Sequence, residues 1–272
     1  MKYVLAISGG VDSTVLLDMM AGKNVVVAHF DHGIRDNSVD DAKLVKKLAE
    51  KYQMKCVIGR GNLGKNSSEE SARRARYNFL GSICKDDSCK IVTAHHQDDV
   101  IETIVINLIR GTGWRGLAPF WSSGIERPLI NMAKVEIVNY AIEHNLEWVE
   151  DETNYSSRYF RNRVRDLVVR MPAETRRKLL ELNQKQIKLR SEIEQILNEV
   201  SLDNSYEIKE ITELPENVGL EILRRITNEE LTILQLKRLL KNLEDANSGD
   251  IFQPGNKIQI GIYRNHFTVS KL

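Results

Sequence analysis

The amino-acid sequence predicts an α/β protein, a doubly wound parallel sheet followed by a linker helix and a small α+β domain. Four apolar runs alternate with amphipathic segments in the first part of the chain, as expected when each strand is followed by a crossover helix. The first run stops at a Ser-Gly-Gly turn, and a helical pattern starts directly after it. The four predicted strands are residues 3–7, 24–30, 55–58 and 90–94.

The turn after the first strand has the composition of a phosphate-binding site. It reads Ser8-Gly9-Gly10-Val11-Asp12-Ser13. The glycines allow a close approach to the backbone, the helix that follows presents unpaired N–H groups, and the serines add hydroxyls. The Asp12 carboxylate would repel phosphate unless a divalent cation lay between them, which indicates a magnesium nucleotide. The alternative is a plain strand-to-helix turn in which Asp12 caps the helix.

Length, composition and cysteine usage are typical of a globular protein. The 272 residues suffice for an α/β domain with a smaller appendage. No apolar run is long enough to cross a bilayer and no signal peptide precedes the first strand, so no membrane partner is expected. The three cysteines are an odd number without C-x-x-C spacing. This argues against disulfide frameworks, zinc ribbons and iron–sulfur clusters, and favours a cytoplasmic location.

Acidic residues follow the fourth strand, where a second helical pattern begins. Asp99 and Glu102 are three residues apart and share the helix face opposite an apolar stripe. Two carboxylates at the mouth of a parallel sheet can hold magnesium or bind an ammonium group. The alternative is that Asp98 and Asp99 only interact favourably with the helix N-terminus. His95 and His96 could ligate a metal, but neighbouring side chains on a strand diverge.

Basic side chains on two predicted helices are candidates for phosphate contacts. Arg73 and Arg76 lie on the helix before the fourth strand. Arg161 and Arg165 are spaced i,i+4 on one helical face, where they could hold a phosphate bidentately. The alternative is a helix with salt bridges to neighbouring acids.

Ligands of parallel sheets gather at the carboxyl ends of the strands. His29 ends the second strand, and it is expected to meet His95 and the Ser-Gly-Gly turn at that edge. The glycine-rich segment 111–123 suits either a mobile loop over this edge or a plain surface loop.

The charges are unevenly distributed, although the net charge is only +1. Residues 151–190 carry 11 Lys/Arg against 5 Asp/Glu, and residues 191–250 carry 6 against 14. The basic segment is therefore a candidate track for a polyanion, with ordinary solvated helix faces as the alternative.

Seven motifs in one order resemble those of the tRNA(Ile)-lysidine synthases, a family of the ATP pyrophosphatase (PP-loop) superfamily. After the Ser-Gly-Gly-x-Asp-Ser string they are Asp31-His32-Gly33-Ile34-Arg35, His95-His96-x-Asp98-Asp99-x-x-Glu102-Thr103, Arg110-Gly111, Arg127-Pro128-Leu129, Asp151-x-x-Asn154 and Arg161-Asn162-Arg163-Val164-Arg165. The resemblance implies an adenine nucleotide alpha hydrolase-like fold with a catalytic domain in residues 1–170, a linker helix region in 171–204 and a small domain in 205–272. It also implies a short form, without the last domain of larger members.

The resemblance implies an ATP-dependent ligase acting on cytidine 34 in the CAU anticodon of tRNA(Ile). ATP adenylates O2 of the base and releases pyrophosphate, and the ε-amine of free L-lysine then displaces AMP at C2 to give lysidine. The cytidine must leave its loop to reach such a site. Members of the family often pair as homodimers, and the resemblance extends that expectation to this chain.

The resemblance also assigns roles to residues. The nucleotide would contact Ser8, Gly9, Gly10, Val11, Asp12, Ser13, His29 and His95, with Asp12 holding Mg²⁺. Asp99 and Glu102 would bind the ammonium of lysine, and one of them would take its proton. Arg73, Arg76, Arg161 and Arg165 would contact phosphate or the adenylated base. The predicted catalytic residues are Asp12, Asp99, Glu102, Arg161 and Arg165.

Two other functions remain open from the sequence. A tRNA thiolase of the same superfamily would share the first motif, but relatives that thiolate cytidine carry C-x-x-C pairs for an iron–sulfur cluster. A nucleotide-binding module without catalysis would not need the two acids beside the phosphate turn or the arginine helix.

Overall fold

The computed structural model of the chain describes residues 1–33, 38–61, 69–86, 88–121, 124–149, 160–199 and 205–272, with the backbone alone at residues 38–40 and 69. The chain divides into two units, Met1–Ile187 and Lys188–Leu272. This division falls inside one long helix, so the domain limits at residues 170 and 204 stay a prediction.

The first unit is built on a five-stranded parallel sheet, which confirms the predicted fold class. Its strands are β1 (Lys2–Ala6), β2 (Val25–Asp31), β3 (Lys55–Arg60), β4 (Cys89–Val92) and β5 (Ile125–Glu126). They lie in the order β3-β2-β1-β4-β5, and every neighbouring pair is parallel. The central strand β1 therefore ends beside both β2 and β4, at the switch point where such sheets bind ligands.

Helices cover both faces of this sheet. The helices from α1 to α7 are α1 (Val11–Met19), α2 (Ser38–Lys51), α3 (Glu69–Ile83), α4 (Gln97–Ile109), α5 (Lys134–Glu143), α6 (Phe160–Val169) and α7 (Ala173–Glu199), with a 3-10 helix at Trp114–Leu117. Helix α6 and the first part of α7 pack against α4. Side chains of β1 alternate between two layers: Leu5 packs with Leu16 of α1 and Ile137 of α5, while Val4 packs with Leu80 of α3. Within the described ranges, no helix has the length and apolarity that crossing a membrane requires.

The second unit combines three helices with a small antiparallel sheet. Its elements are β6 (Tyr206–Glu207), α8 (Lys209–Thr212), α9 (Glu216–Ile226), α10 (Ile233–Glu244), β7 (Ile251–Gly255), β8 (Ile258–Tyr263) and β9 (His266–Lys271). The sheet order is β6-β9-β8-β7. Strands β6 and β7 have weak sequence signals. The first of these is two residues long, and the second contains Pro254 and Gly255, which are unfavourable in strand interiors.

The cysteines correct one expectation. Cys84 and Cys89 form a disulfide across the short connection from α3 to β4, and Cys56 is free. The odd count and the missing C-x-x-C spacing argue for reduced thiols. The fold nevertheless places the two Cα atoms 5.4 Å apart, a separation that a disulfide can bridge.

Asp18 ties the far end of α1 to two other helices. Its carboxylate accepts hydrogen bonds from the hydroxyls of Tyr52, next to α2, and Tyr140 of α5, at 2.5 and 2.8 Å. His144 Nδ1 lies 3.3 Å from the same carboxylate and its ring stacks on Tyr140. Burial alone would raise the pKa of Asp18, but the two hydroxyls and the His144 charge lower it. The ionised form is therefore the one that holds the helices together.

Replacing Asp18 with Asn is expected to lower the free energy of unfolding by about 1.5–3 kcal/mol, the usual contribution of hydrogen bonds to a charged group. Because the folded-state pKa of Asp18 is lowered, its contribution is complete above the unfolded-state pKa of about 3.9 and is lost as the pH falls through the folded-state value. Urea denaturation at neutral and acidic pH measures both effects. The exposed Asp166 provides the control, Asp166→Asn. Equal loss in the two variants would contradict this role.

Candidate functional site

Ser13 shapes the turn between β1 and α1. Its Oγ accepts hydrogen bonds from the N–H groups of Ser8 (3.2 Å) and Gly9 (3.1 Å) and donates to the carbonyl of Gly10 (2.9 Å). Gly10 is the N-cap of α1 and has no side chain to accept from the first N–H groups of the helix. Those donors and the positive end of the helix dipole are thus directed at the space in front of the turn, as an anion site requires.

Gly9 is required at this turn for its backbone conformation. Its φ is +94°, in the region that glycine adopts most readily. A Cβ there would meet only ordinary contacts at 3.8 Å or more, so the constraint is the dihedral angle and not the space. The Gly9 carbonyl accepts a hydrogen bond from the Val149 N–H at 3.0 Å. This hydrogen bond connects the turn to the segment that follows α5.

Asp12 is the acidic residue of the turn and lies close to a lysine and a histidine. Its Oδ1 is 2.5 Å from Lys134 Nζ, and its Oδ2 is 3.7 Å from His96 Nε2. The side chain is 31% exposed, so it remains accessible from the open side of the turn.

His96 joins the turn to the acidic residues after β4. It is the N-cap of α4: its Nδ1 accepts from the Asp98 N–H at 3.2 Å, and its own N–H donates to Asp99 Oδ2 at 3.0 Å. A neutral ring with Nδ1 as acceptor carries its proton on Nε2. That atom lies 3.7 Å from Asp12 and 3.5 Å from Asp99. The His96 ring therefore lies close to both the Asp12 carboxylate of the turn and the Asp99 carboxylate of α4.

Glu102 is buried behind two arginines. Its side chain is 2% exposed, and its two oxygens lie 3.2 Å from Arg161 Nε and 3.1 Å from Arg165 Nε. Arg161 Nη2 also lies 3.4 Å from Asp99 Oδ1. The salt-bridge alternative for the arginine pair is therefore observed, and phosphate binding by the pair stays a prediction. The two side chains share one face of α6, and they form salt bridges with the neighbouring acids.

A cavity of about 310 Å³ opens in front of these groups. It is lined by His32, Ala72, Arg73, Arg76, His95, Asp99, Arg161 and Arg165. The structure thus brings together six of the predicted site residues, four of them arginines. Glu102 lies behind the arginines, and the residues of the turn do not line the cavity. His29 does not line the cavity either. It is buried, and its Nδ1 lies 2.9 Å from the Ile7 carbonyl oxygen. Its contact with nucleotide stays a prediction.

The electrostatics of the cavity keep Asp99 charged and His95 neutral. Burial would raise the pKa of Asp99, but the rings of His96 and His95, the His96 N–H and Arg161 lower it. Burial lowers the pKa of His95 to about 4 against the attraction of Asp99, and three arginines lower it further. The His95 ring packs against the Phe120 ring in a tilted arrangement, with the ring centroids 4.6 Å apart, and His95 Nδ1 lies 2.8 Å from Thr93 Oγ1. Both histidines lie after the end of β4 at Val92: His95 lines the cavity, and His96 caps α4.

Side chains hold the described part of the glycine-rich segment, residues 111–121. Amide groups of Asn107 and Asn183 donate to the carbonyls of Gly116 and Leu117 at 2.7 and 2.9 Å. Arg127 donates to the Phe120 carbonyl at 2.8 Å. The segment therefore positions Phe120 against His95 and forms part of the structure around the cavity.

Several site residues were not predicted. His96 and Asp98 stand in a quoted motif, but the sequence does not show which way each side chain points. Lys134 and Arg176 come from distant helices: Lys134 pairs with Asp12, and Arg176 Nη2 lies 2.7 Å from Asp98 Oδ1. Only the three-dimensional structure reveals these long-range pairs. The motif residues Ile34, Arg35, Asp151 and Asn154 lie outside the described residues.

These features define a class of protein: an α/β domain whose first strand–helix turn has the geometry of an anion site and whose sheet edge carries a charged cavity. The chain belongs to the PP-loop domain family, whose ATP-binding model matches residues 1–171.

Curated relatives specify the comparison further. A tRNA(Ile)-lysidine synthase from Actinobacillus pleuropneumoniae serotype 3 is 35% identical over 177 residues, which is 62% of this chain and 42% of the relative. Enzymes of that name from Legionella pneumophila (strain Lens) and Thermosipho africanus are 34% and 35% identical over 180 and 183 residues, again 62% of this chain and 42% and 43% of theirs. The chain thus spans less than half the length of the curated relatives it matches.

A solved structure supports the fold. The U34-tRNA thiolase NcsA from Methanococcus maripaludis, with its [4Fe-4S] cluster, superposes with a TM-score of 0.58 at 20% identity and covers 75% of this chain and 74% of that chain. At this identity the likeness concerns the fold alone.

Glu102→Gln is expected to lower the free energy of unfolding by about 1–3 kcal/mol, because the amide removes the charge of a buried carboxylate that two arginines contact. Urea denaturation measures the loss. Glu143→Gln, at an exposed position of α5, is the matched control. If the urea midpoint of Glu102→Gln moved no further than that of the control, contacts other than those with Glu102 would be what fixes the two arginines.

Proposed function

We propose that this chain has tRNA(Ile)-lysidine synthase activity: ATP-dependent adenylation of cytidine 34 in the CAU anticodon, followed by attack of free L-lysine. The observation that supports it most is the position of the His96 ring, with its Nε2 3.7 Å from Asp12 and 3.5 Å from Asp99. Asp12 and Asp99 thus lie close to the same ring nitrogen. A nucleotide at the turn and an amine at Asp99 would therefore be near each other, as a reaction between an activated nucleotide and an amine requires. The names of the curated relatives support the same activity.

The turn would bind the phosphates of ATP through the N–H groups at the start of α1. Asp12 fits a magnesium site, because Mg²⁺ is commonly bound by one or two carboxylates together with substrate phosphates. Its partly exposed carboxylate is the donor type that magnesium prefers, and it lies beside the proposed phosphate site. Bound magnesium would neutralise charge on the phosphates and on the pyrophosphate that leaves.

The four arginines of the cavity would bind the anionic parts of the RNA substrate. Arg73, Arg76, Arg161 and Arg165 line a volume of about 310 Å³, and guanidinium groups bind phosphate oxygens in pairs. Cytidine 34 would enter this space after leaving the anticodon loop, and its O2 would attack the α-phosphorus of ATP as pyrophosphate leaves. The basic segment 151–190 is the proposed track for the rest of the anticodon arm.

Asp99 would bind the ammonium group of lysine. Its lowered pKa favours this role over proton acceptance, because a carboxylate with a low pKa is a weak base near neutral pH. Glu102 would act indirectly, by holding Arg161 and Arg165 in position, since its two oxygens contact these arginines. In the second step the ε-ammonium first loses its proton to solvent, the resulting neutral amine attacks C2 of the adenylated base, and AMP leaves with the former O2 of the base.

A thiolase function has weaker support. The thiolase with the similar fold is described with its [4Fe-4S] cluster, and such clusters are usually held by several cysteine thiolates. In this chain Cys84 and Cys89 are paired with each other, which leaves Cys56. Burial raises the pKa of that thiol, which disfavours the thiolate a metal needs.

Incubation of a tRNA(Ile) transcript with the chain, MgATP and isotope-labelled lysine is expected to add the label to cytidine 34, as mass spectrometry of nuclease digests would show. Pyrophosphate release should require the tRNA. Pyrophosphate release that responds to sulfide but not to lysine would favour the thiolase. ATP binding with no turnover under any of these conditions would favour a binding module.

Asp99→Asn is expected to raise the KM for lysine about tenfold or more, the cost of losing one charge-assisted hydrogen bond, and to change the KM for ATP far less. Asp86→Asn, at an exposed position before β4, is the matched control. Equal increases for lysine and ATP would instead indicate that Asp99 acts at the nucleotide.

A further inference from the structure

We propose that Arg176 of α7 is a positioning residue for the reaction: it holds the start of α4, and through it the start of α5, in a fixed place relative to α6. This inference rests on the proposed function. Arg176 Nη2 lies 2.7 Å from Asp98 Oδ1, and Arg176 Nη1 donates to the Val168 carbonyl at 2.9 Å. One guanidinium thus joins the first turn of α4 to the last turn of α6.

The contacts of Arg176 are largely shielded from solvent. Its side chain is 20% exposed and that of Asp98 is 13% exposed. Val168 is buried in the apolar cluster that α6 and the first part of α7 form with α4. A guanidinium presents its donors in one rigid plane, so two acceptors on different helices fix its orientation. The last carbonyls of a helix lack partners within the helix, and a cation beside them is favourable.

Asp98 passes the effect of this contact on to α5 and to the turn after β1. Its Oδ1 also accepts a hydrogen bond from the backbone N–H of Lys134 at 3.2 Å, and its own N–H donates to His96 Nδ1 at 3.2 Å. His96 Nε2 in turn lies 3.7 Å from Asp12 Oδ2. The Asp98 carboxylate therefore connects Arg176 to groups that lie beside the turn.

Helix α6, at the other side of the guanidinium, carries two arginines of the cavity. Arg161 and Arg165 contact the two acids of α4. The position of α6 along α4 therefore decides where these two guanidinium groups lie in the cavity. Because Arg176 holds the Val168 carbonyl, it fixes α6 from the C-terminal end of that helix.

Helix α7 supports the cavity at a second point. Asn183 lies about two turns after Arg176 on the same helix face. It is buried, and its amide donates to the Leu117 carbonyl at 2.9 Å. Leu117 belongs to the segment that places Phe120 against His95. Arg176 and Asn183 do not line the cavity themselves, so each acts through the residues that it holds.

The proposed reaction is sensitive to such positioning, because the cytidine base, ATP and lysine must meet in one geometry. A misplacement of about 1 Å between reacting groups costs about a hundredfold in rate. Attraction between charges changes much less over the same distance, since it falls only as the inverse of the separation. Loss of Arg176 is therefore expected to lower kcat while the KM values change little.

Steady-state turnover of the full chain with MgATP, a tRNA(Ile) transcript and isotope-labelled lysine tests this inference. Arg176→Met is expected to lower kcat about tenfold or more and to leave the KM for ATP and for lysine within about threefold. Arg177→Met is the matched control, because Arg177 forms exposed ion pairs with Glu174 and Glu181 of its own helix. The control should keep the kcat of the wild type.

A double variant tests whether Arg176 acts through Asp98. Asp98→Asn is expected to lower kcat, because the amide weakens the contact with the guanidinium. If the two residues act as one unit, the variant that combines Asp98→Asn with Arg176→Met will have a kcat within about twofold of the slower single variant. Losses that multiply in the double variant would show independent effects and overturn the proposal.

Arg176→Lys keeps the charge and provides the test if Arg176→Met does not fold. An ammonium lacks the rigid fork that serves two acceptors at once, so kcat should fall severalfold while the urea midpoint stays close to that of the wild type. A wild-type kcat in Arg176→Met, or in Arg176→Lys where only that variant folds, would overturn the positioning role alone. A raised KM with unchanged kcat would overturn it as well. If the wild type attached no lysine to the tRNA, this inference and the proposed function would both fail.

Discussion

The arrangement of the site depends on charge balance at the carboxyl edge of the central strands. Three carboxylates follow β4 within one turn of helix, and a fourth stands on α1 beside them. Each faces a cationic side chain from another element: Asp12 faces Lys134, Asp98 faces Arg176, Asp99 faces Arg161, and Glu102 faces Arg161 and Arg165. Unpaired, these charges would repel one another in a partly buried place. The pairs therefore fix where α5, α6 and α7 lie around the site.

The fold was largely accessible from the sequence because its signals are local. Four of the five parallel strands are apolar runs bounded by turns, and the Ser-Gly-Gly turn marks the switch from strand to helix. Strand β5 was not predicted, because two residues are too few to show an alternation of apolar and polar side chains. The Cys84–Cys89 disulfide was missed because pairing depends on the distance between the two Cα atoms, which the count of cysteines does not report.

The site was accessible only in part. Residue types and spacing identified the turn, the acids and the arginines, and the cavity brings Arg73, Arg76, His95, Asp99, Arg161 and Arg165 together. Which acid pairs with which basic residue could not be predicted, because the partners are far apart in the sequence. Glu102 and Arg161 are 59 residues apart, and Asp12 and Lys134 are 122 residues apart. Which of the two histidines after β4 faces Asp12 could not be predicted either.

Paired charges also constrain how any substrate binds here. A phosphate that approaches Arg161 or Lys134 competes with a carboxylate already in place, and an ammonium that approaches Asp99 competes with Arg161. Binding of a single charged group therefore leaves one protein charge without its partner, which costs free energy. Binding of a nucleotide with its cation, or of an anion and an ammonium group together, restores the balance. A site built in this way favours substrates that bring both signs of charge, as a magnesium nucleotide and an amino acid do.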